Sequence, residues 1–126
     1  MRYIAMLALL AASATPAARA EDASTAGMIK DYAGIWLVQN GDSTKSCPVT
    51  LGTDQTIGGY TVDVSKDCSK LFPVMDEIAA WYMLDDGTII FNDATRKERL
   101  RFYTPDDSYV SAEEVDGIVR LVPVSG

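Results

Sequence analysis

Turn signals divide this chain into short segments, and the spacing of those signals limits the folds that are open to it. Within the segments at residues 60–64 and 98–103, apolar and polar side chains alternate, which is the period of a strand with one buried face. An Asn-Gly pair at 40–41 and an Asp-Asp-Gly run at 85–87 are hairpin-type turns between such segments. About eight short strands and no long helix favour an antiparallel barrel or a sandwich, in the all-β class.

The predicted strands are short segments rich in β-branched and aromatic residues. The first, residues 33–38, contains Trp36, which we expect to lie in the core together with Trp81. Gly34 precedes the first indole, and we expect it to let a neighbouring backbone come close. The other strands are predicted at residues 47–51, 60–64, 78–84, 88–91, 98–103, 108–112 and 118–122.

The stretches between the strands are predicted to be short turns, with two exceptions. Residues 28–32 are predicted to form one helical turn before the first strand. Residues 67–72 are predicted to form another, which Pro73 ends. Residues 52–59 and 92–97 are predicted to be connections without strand structure.

The first twenty residues have the features of a secretory signal peptide. Arg2 supplies the positive start, and the apolar run at residues 4–12 is too short to cross a bilayer. The small residues Ala18 and Ala20 fit signal peptidase, and no cysteine lies nearby for lipid attachment. We therefore expect a mature chain that begins at Glu21 and carries no membrane anchor. The predicted divisions are a signal peptide at 1–20, an N-terminal segment and cap at 21–32, and a β domain at 33–126.

The charge of the mature chain excludes some partners. Once Arg2 and Arg19 are removed with the leader, nine basic residues stand against eighteen acidic ones. Nucleic acid and anionic membranes need a positive surface, so neither is expected as a partner. A basic patch is expected to be an exposed strand face paired with carboxylates, and it consists of Arg96, Lys97, Arg99 and Arg101.

The two cysteines, Cys47 and Cys68, are most simply a disulfide in an exported chain. A thiol nucleophile is disfavoured because the chain has no histidine to act as its base. A zinc site is disfavoured because it needs more nitrogen or sulfur ligands than this chain offers.

Clusters of carboxylates are the candidates for acid–base chemistry, and each lies in or beside a predicted turn. Aspartate favours turn geometry by itself, and none of the clusters has the spacing of a calcium loop. The sequence also lacks a glycine-rich phosphate loop and any Ser-His pair. It therefore predicts a protein that is not an enzyme, with no catalytic residue, no metal site and no cofactor. The clusters are Asp85-Asp86, Asp106-Asp107, and Glu113-Glu114 with Asp116.

An ordered set of short motifs resembles the bacterial alkaline proteinase inhibitor family and the related outer-membrane lipoprotein inhibitors. The set covers nearly the whole mature chain, with two cysteines that bracket a strand and a tryptophan in each half. The motifs are Ala33-Gly34-Ile35-Trp36, Cys47-Pro48-Val49-Thr50-Leu51, Gly59-Tyr60-Thr61-Val62, Cys68-Ser69-Lys70-Leu71, Ala80-Trp81 and Asp116-Gly117.

This resemblance implies an eight-stranded, lipocalin-like antiparallel β-barrel with one disulfide, periplasmic or secreted and monomeric. In the metalloprotease inhibitors of the family, a short N-terminal trunk enters the active-site cleft of the protease, and its free amine reaches the catalytic zinc. The implied partner is therefore a secreted protease of the zinc metalloprotease class. Carried over by position, the inhibitory segment is Glu21, Asp22, Ala23, Ser24 and Thr25.

One departure from the family pattern concerns the target. The zinc-protease inhibitors begin with small, uncharged residues, whereas this chain would begin with Glu21 and Asp22. A carboxylate beside the amine either adds a zinc ligand or clashes with the catalytic glutamate of the protease, so a target of another protease class stays open. Two other hypotheses also stay open: a carrier with a small apolar ligand inside the barrel, and a structural domain of the cell envelope.

Overall fold

Residues 27–124 are described by a computed structural model, and within them eight strands form a closed antiparallel barrel. The strands follow one another around the barrel in chain order, and β1 pairs with β8 to close it. This confirms the predicted all-β, eight-stranded, lipocalin-like barrel and rules out the sandwich. The strands are β1 (Gly34–Asn40), β2 (Ser46–Thr56), β3 (Gly59–Val64), β4 (Ile78–Met83), β5 (Ile89–Asp93), β6 (Glu98–Tyr103), β7 (Tyr109–Val115) and β8 (Ile118–Pro123).

Apolar side chains of the alternating pattern fill the barrel interior. In β6, Leu100 and Phe102 are buried while Glu98 and Arg101 are exposed, so the predicted period of two is confirmed. Trp36 is 5% exposed and Trp81 is fully buried, which confirms that both indoles belong to the core. The other large side chains that are fully buried include Phe72, Phe91, Leu51, Met75, Ile89 and Leu121.

Gly34 opens β1, but not for the predicted reason. A Cβ atom added at this position would meet nothing within 4 Å, so no neighbouring backbone comes close to it. Its φ of 125° lies in a region that side-chain-bearing residues rarely adopt. The glycine is required by the conformation of its own backbone, and the predicted close approach is wrong.

Strand β2 continues to Thr56, so the connection predicted at residues 52–59 is wrong. Its register with β3 shifts within this stretch, which bends the hairpin. A Cβ atom on Gly52 would lie 3.2 Å from the carbonyl oxygen of Thr61 on β3. Gly52 therefore lies where two strands come close together. From the sequence alone, a glycine needed for such an approach looks the same as a glycine in a turn, which is why a turn was predicted here.

Strand β5 runs to Asp93, further than predicted, because its polar residues find partners within the fold. The side-chain amide of Asn92 is buried and donates to the carbonyl oxygen of Gly58 at 2.9 Å. The carboxylate of Asp93 accepts from the backbone N–H groups of Thr95 and Lys97 at 2.8 and 3.0 Å. These two polar residues belong to the strand, and the connection starts after them.

Two short helical elements close one end of the barrel, where β3 leads into β4. A helix at Lys66–Leu71 confirms the predicted helical turn, and the 3₁₀ helix Pro73–Glu77, which the sequence did not predict, follows it. The predicted disulfide is present, since Cys47 on β2 is bonded to Cys68 on the helix with their Cα atoms 5.3 Å apart. This bridge fixes the helix against the barrel end.

Residues 27–32 are helical, as predicted for residues 28–32, and they lie at the opposite end of the barrel. The predicted leader at residues 1–20 lies outside the described residues. Within residues 27–124, no helix has the length and apolar character needed to cross a membrane.

Candidate functional site

The predicted inhibitory segment, Glu21, Asp22, Ala23, Ser24 and Thr25, lies outside the residues that the structure describes. The candidate site is therefore built from the barrel end at which the described chain begins. That end also carries the β2–β3, β4–β5 and β6–β7 turns, because alternate turns of an up-and-down barrel fall at the same end.

The helical residues 27–32 are fixed to the barrel by apolar packing, in which Ile29 is the most deeply buried residue, and by a hydrogen bond. Ile29 is only 1% exposed and belongs to the core cluster. The indole N–H of Trp36 donates to the carbonyl oxygen of Tyr32 at 2.8 Å, which ties the last helical residue to β1. Residue 27, the first described residue, is therefore held close to a rigid barrel end.

Three aromatic rings pack together where this segment meets the barrel, and one of them, Tyr32, belongs to the segment. Tyr32 is stacked on Trp36 with ring centroids 6.3 Å apart, and Tyr109 meets Trp36 edge-on at 5.5 Å. Burial, together with the hydroxyl of Tyr32, raises the pKa of Tyr109 above its usual value. The phenol of Tyr109 therefore stays neutral at physiological pH.

A groove of about 510 Å³ runs beside these rings. Tyr32, Trp36, Tyr109 and Pro123 form its apolar floor. Its rim is formed by four aspartates, and no lysine or arginine lies among its lining residues. We call this feature the acidic groove, and its rim consists of Asp31, Asp86, Asp106 and Asp107.

Two of the rim carboxylates are fixed in place by turn hydrogen bonds. Asp86 accepts from the backbone N–H of Thr88 at 2.9 Å, and Asp106 accepts from the N–H of Ser108 at 2.8 Å. These bonds stabilise the ionised carboxylates and lower the pKa of both aspartates below the usual range. The rim is therefore negatively charged and partly rigid at neutral pH.

The sequence placed these aspartates in turns but did not predict that they meet. The strand order could have predicted it. In a barrel whose strands follow one another in chain order, the turns at 85–87 and 104–108 lie at the end where the first strand begins. Asp31 carried no signal of its own, because its position depends on how residues 27–32 pack. Tyr32 and Tyr109 were likewise missed as neighbours of Trp36.

The remaining acidic cluster has a structural role at the other end of the barrel. The carboxylate of Asp116 accepts from the backbone N–H of Val74 at 2.7 Å, which links the β7–β8 turn to the 3₁₀ helix. Among residues 27–124, no group of three or more histidine, cysteine, aspartate or glutamate side chains is arranged to hold a metal ion. The cysteines are joined in the disulfide and do not provide a thiol.

Two residues of the predicted basic patch, Arg99 and Arg101, lie on β6 and are paired with carboxylates, whereas Arg96 and Lys97 precede that strand. Arg99 lies 3.0 Å from a carboxylate oxygen of Glu77 and 3.5 Å from one of Asp93. Arg101 makes two hydrogen bonds to Glu98, at 2.9 and 2.8 Å, which lower the pKa of that glutamate. The predicted pairing is confirmed for these two arginines, which reduces the free positive charge of the patch.

The barrel interior does not favour the carrier hypothesis. Phe91 and Phe102, on the adjacent strands β5 and β6, meet edge-on with ring centroids 5.4 Å apart, and both are fully buried. The Trp81 indole fills the space beside them and donates its N–H to the carbonyl oxygen of Gly52 at 3.0 Å. An eight-stranded barrel has room for side chains or for one small ligand, and here side chains form a continuous core.

Comparison with known proteins gives one family match. The sequence model of the family described as "Protease inhibitor Inh" matches residues 27–121, which include all but the end of the barrel. A search among curated proteins returned no significant match.

Proposed function

Because this chain belongs to the Inh protease inhibitor family, we propose that it is exported and inhibits a zinc metalloprotease by placing residues 21–25 in the active-site cleft. The periplasm or the extracellular space is the proposed location, and a protease secreted by the same cell is the proposed target. The protein acts without a cofactor and without catalysis of its own.

The barrel end described above supports this proposal. The family match starts at residue 27, so residues 21–25 come just before the conserved fold of the family in the chain. Residues 27–32 are fixed to the barrel through Ile29 and Tyr32, which gives the preceding segment a rigid base. A rigid base reduces the conformational entropy lost when such a segment binds in a cleft.

The proposed chemistry at the zinc needs only the free amine that export would create. An α-amine has a pKa near 8 (about 7.7 to 8.0), so its loss of a proton to become a metal ligand costs little near neutral pH. A lysine side chain has a pKa of about 10.4 and is a poorer ligand at that pH. The proposed ligand is therefore the amine of Glu21.

Inhibition of a purified secreted zinc metalloprotease tests the proposal. The parent protein that begins at Glu21 is expected to titrate the protease with one-to-one stoichiometry. A variant with one serine added before Glu21, and a variant without residues 21–25, are both expected to inhibit at least tenfold more weakly. A variant with one serine added after Gly126 is the matched control and should inhibit like the parent. Equal inhibition by all four proteins would end the proposed mechanism.

The charged start makes the target class a separate question. Glu21 and Asp22 place carboxylates next to the amine, unlike the uncharged starts of the metalloprotease inhibitors. A panel of metallo-, serine and cysteine proteases, tested with the same four proteins, decides it. Inhibition confined to a serine or cysteine protease would replace the proposed target while leaving the family assignment in place.

A further inference from the structure

We propose that the acidic groove is a docking site for an arginine- or lysine-bearing segment of the target protease. This inference rests on the proposed function, because it takes a protease as the partner. It goes beyond the N-terminal segment, since it assigns a second contact surface on the barrel itself.

The charges of the groove select the chemistry of its occupant. Four aspartates surround it, and its lining residues include no basic side chain. Arg101 acts weakly on Asp86 from outside the groove, but its guanidinium is bonded to Glu98 on the strand face. A cationic segment is the partner whose charge complements this rim.

The shape of the groove favours a side chain that is both flat and cationic. Tyr32 is half-buried and stacks on Trp36, so part of its ring faces the groove. A guanidinium group above such a ring gains a cation–π contact while it makes hydrogen bonds to carboxylates. Arginine is therefore the better fit, because it combines the two contacts in one planar group.

Other occupants of the groove are disfavoured by the same charges. The chain's own preceding segment carries Glu21 and Asp22, which the rim repels. A second copy of this chain would bring another acidic surface, since its acidic residues outnumber the basic ones, eighteen to eleven. Both alternatives are outcomes of the test below.

The position of the groove makes the inference relevant to inhibition. Asp31 on its rim is four residues from the first described residue, so the groove adjoins the base of the proposed inhibitory segment. A protease that takes this segment into its cleft would bring its surface next to the groove. Charge complementarity at such a rim raises the association rate more than the final affinity.

Titration with a short cationic peptide tests the groove without any protease. Acetylated tri-arginine amide is added to the exported protein, and backbone amide shifts are followed by NMR at low salt. Shifts are expected at residues 31–32, 86–87 and 104–109. Acetylated tri-citrulline amide, which has the same shape without charge, is expected to leave them unchanged. Shifts located elsewhere, or equal shifts with both peptides, would overturn the proposal.

Matched sets of substitutions separate a local effect from a change in net charge. Replacement of the rim by Asp31→Asn, Asp86→Asn, Asp106→Asn and Asp107→Asn keeps the turn acceptors and is expected to weaken peptide binding roughly tenfold. The control set, Asp42→Asn, Asp67→Asn, Glu113→Gln and Glu114→Gln, removes the same charge at the other barrel end and should weaken binding less than twofold. If the two sets weakened peptide binding equally, the effect would be due to the net charge of the protein and not to the groove, which would overturn the proposal.

Two further measurements distinguish the other outcomes. Tighter peptide binding after deletion of residues 21–26 would show that the chain's own segment occupies the groove, and concentration-dependent sedimentation that the rim set abolishes would assign it to a second copy. Either result overturns the proposal. With an inhibited protease, the rim set is expected to slow association at low salt, whereas loss of residues 21–25 removes inhibition at any salt. If the rim set left the association rate unchanged, the proposal for the groove would be contradicted, whereas the proposal for the inhibitory segment would not be affected.

Discussion

In several connections between the strands of this barrel, a single aspartate stabilises the conformation of the turn. Asp42, Asp86, Asp93 and Asp106 each accept a hydrogen bond from the backbone N–H two residues further along, at 3.1, 2.9, 2.8 and 2.8 Å. This is the geometry that makes aspartate a preferred turn residue. At the level of residues, the sequence was therefore informative about turns, because a local side-chain bond decides the backbone conformation.

These bonds predict that stability falls in acid. Hydrogen bonds from the hydroxyls of Thr44 and Thr95 to Asp42 and Asp93, and from backbone N–H groups to all four aspartates, lower the pKa of each in the folded protein relative to the unfolded chain, where the value is about 3.9. The unfolded state then binds more protons in acid, so their contribution is complete above about pH 5 and is lost as pH falls through the lower, folded pKa values. Urea denaturation at pH 7, 5 and 3 should show a lower midpoint only at the most acidic pH.

The control for this prediction replaces all four aspartates by asparagine. Asparagine keeps the acceptor but does not titrate, so the loss of stability between pH 5 and pH 3 should become smaller. An unchanged pH dependence in this variant would assign the effect to other carboxylates.

Asp116 offers a second test at the scale of a residue. Its φ of 55° is a conformation that asparagine and aspartate tolerate better than other side chains, and its carboxylate is bonded to the N–H of Val74. Asp116→Ala is expected to lower the free energy of unfolding by about 2 kcal/mol, because it removes the acceptor and adds backbone strain. Asp116→Asn keeps both features and should cost under about 1 kcal/mol. Equal costs in urea denaturation would contradict this role.

At the scale of elements, short segments rich in β-branched and aromatic residues predicted each strand but not each boundary. Alternation is local, so β6 was predicted at its observed bounds, Glu98–Tyr103. Strands β2 and β5 were predicted too short because Gly52 and Asn92 have the character of turn residues. In the structure, Gly52 lies against Thr61 on the adjacent strand β3, and Asn92 finds its partner in Gly58, which is 34 positions away.

The disulfide is the strongest single link between elements, and its removal should be costly. Cys47 and Cys68 are separated by 21 positions and both are buried. In the chain-entropy model, a loop of this length stabilises the fold by about 3 kcal/mol. The double variant Cys47→Ala and Cys68→Ala should lose about that much in urea denaturation. The parent measured with a reductant is the control, and a loss below about 1 kcal/mol in both cases would contradict the prediction.

At the scale of the whole molecule, closure was the feature that sequence spacing left open. Eight short strands fit a barrel or a sandwich, and the difference depends on the pairing of β1 with β8, which lie at opposite ends of the domain. Resemblance to a family, rather than periodicity, predicted the barrel. The acidic groove is also a property of the whole, because two turns and the segment before β1 meet there only once the barrel has closed.

The family assignment supports protease inhibition in general. The proposed mechanism is more specific, because it depends on a free amine that reaches the protease metal. Replacement of the zinc of an inhibited metalloprotease by cobalt gives a spectroscopic probe of that contact, since the visible absorption bands of cobalt respond to its ligands.

The most direct measurement is the visible spectrum of this cobalt protease mixed with the protein that begins at Glu21. Its comparison is the same protein acetylated on the α-amine. We predict that the unmodified protein shifts the cobalt bands and that the acetylated one leaves them unchanged, because acetylation delocalises the nitrogen lone pair into the carbonyl group, where it is not available to the metal. Identical spectra for the two proteins, under conditions in which both are bound, would contradict the proposed mechanism.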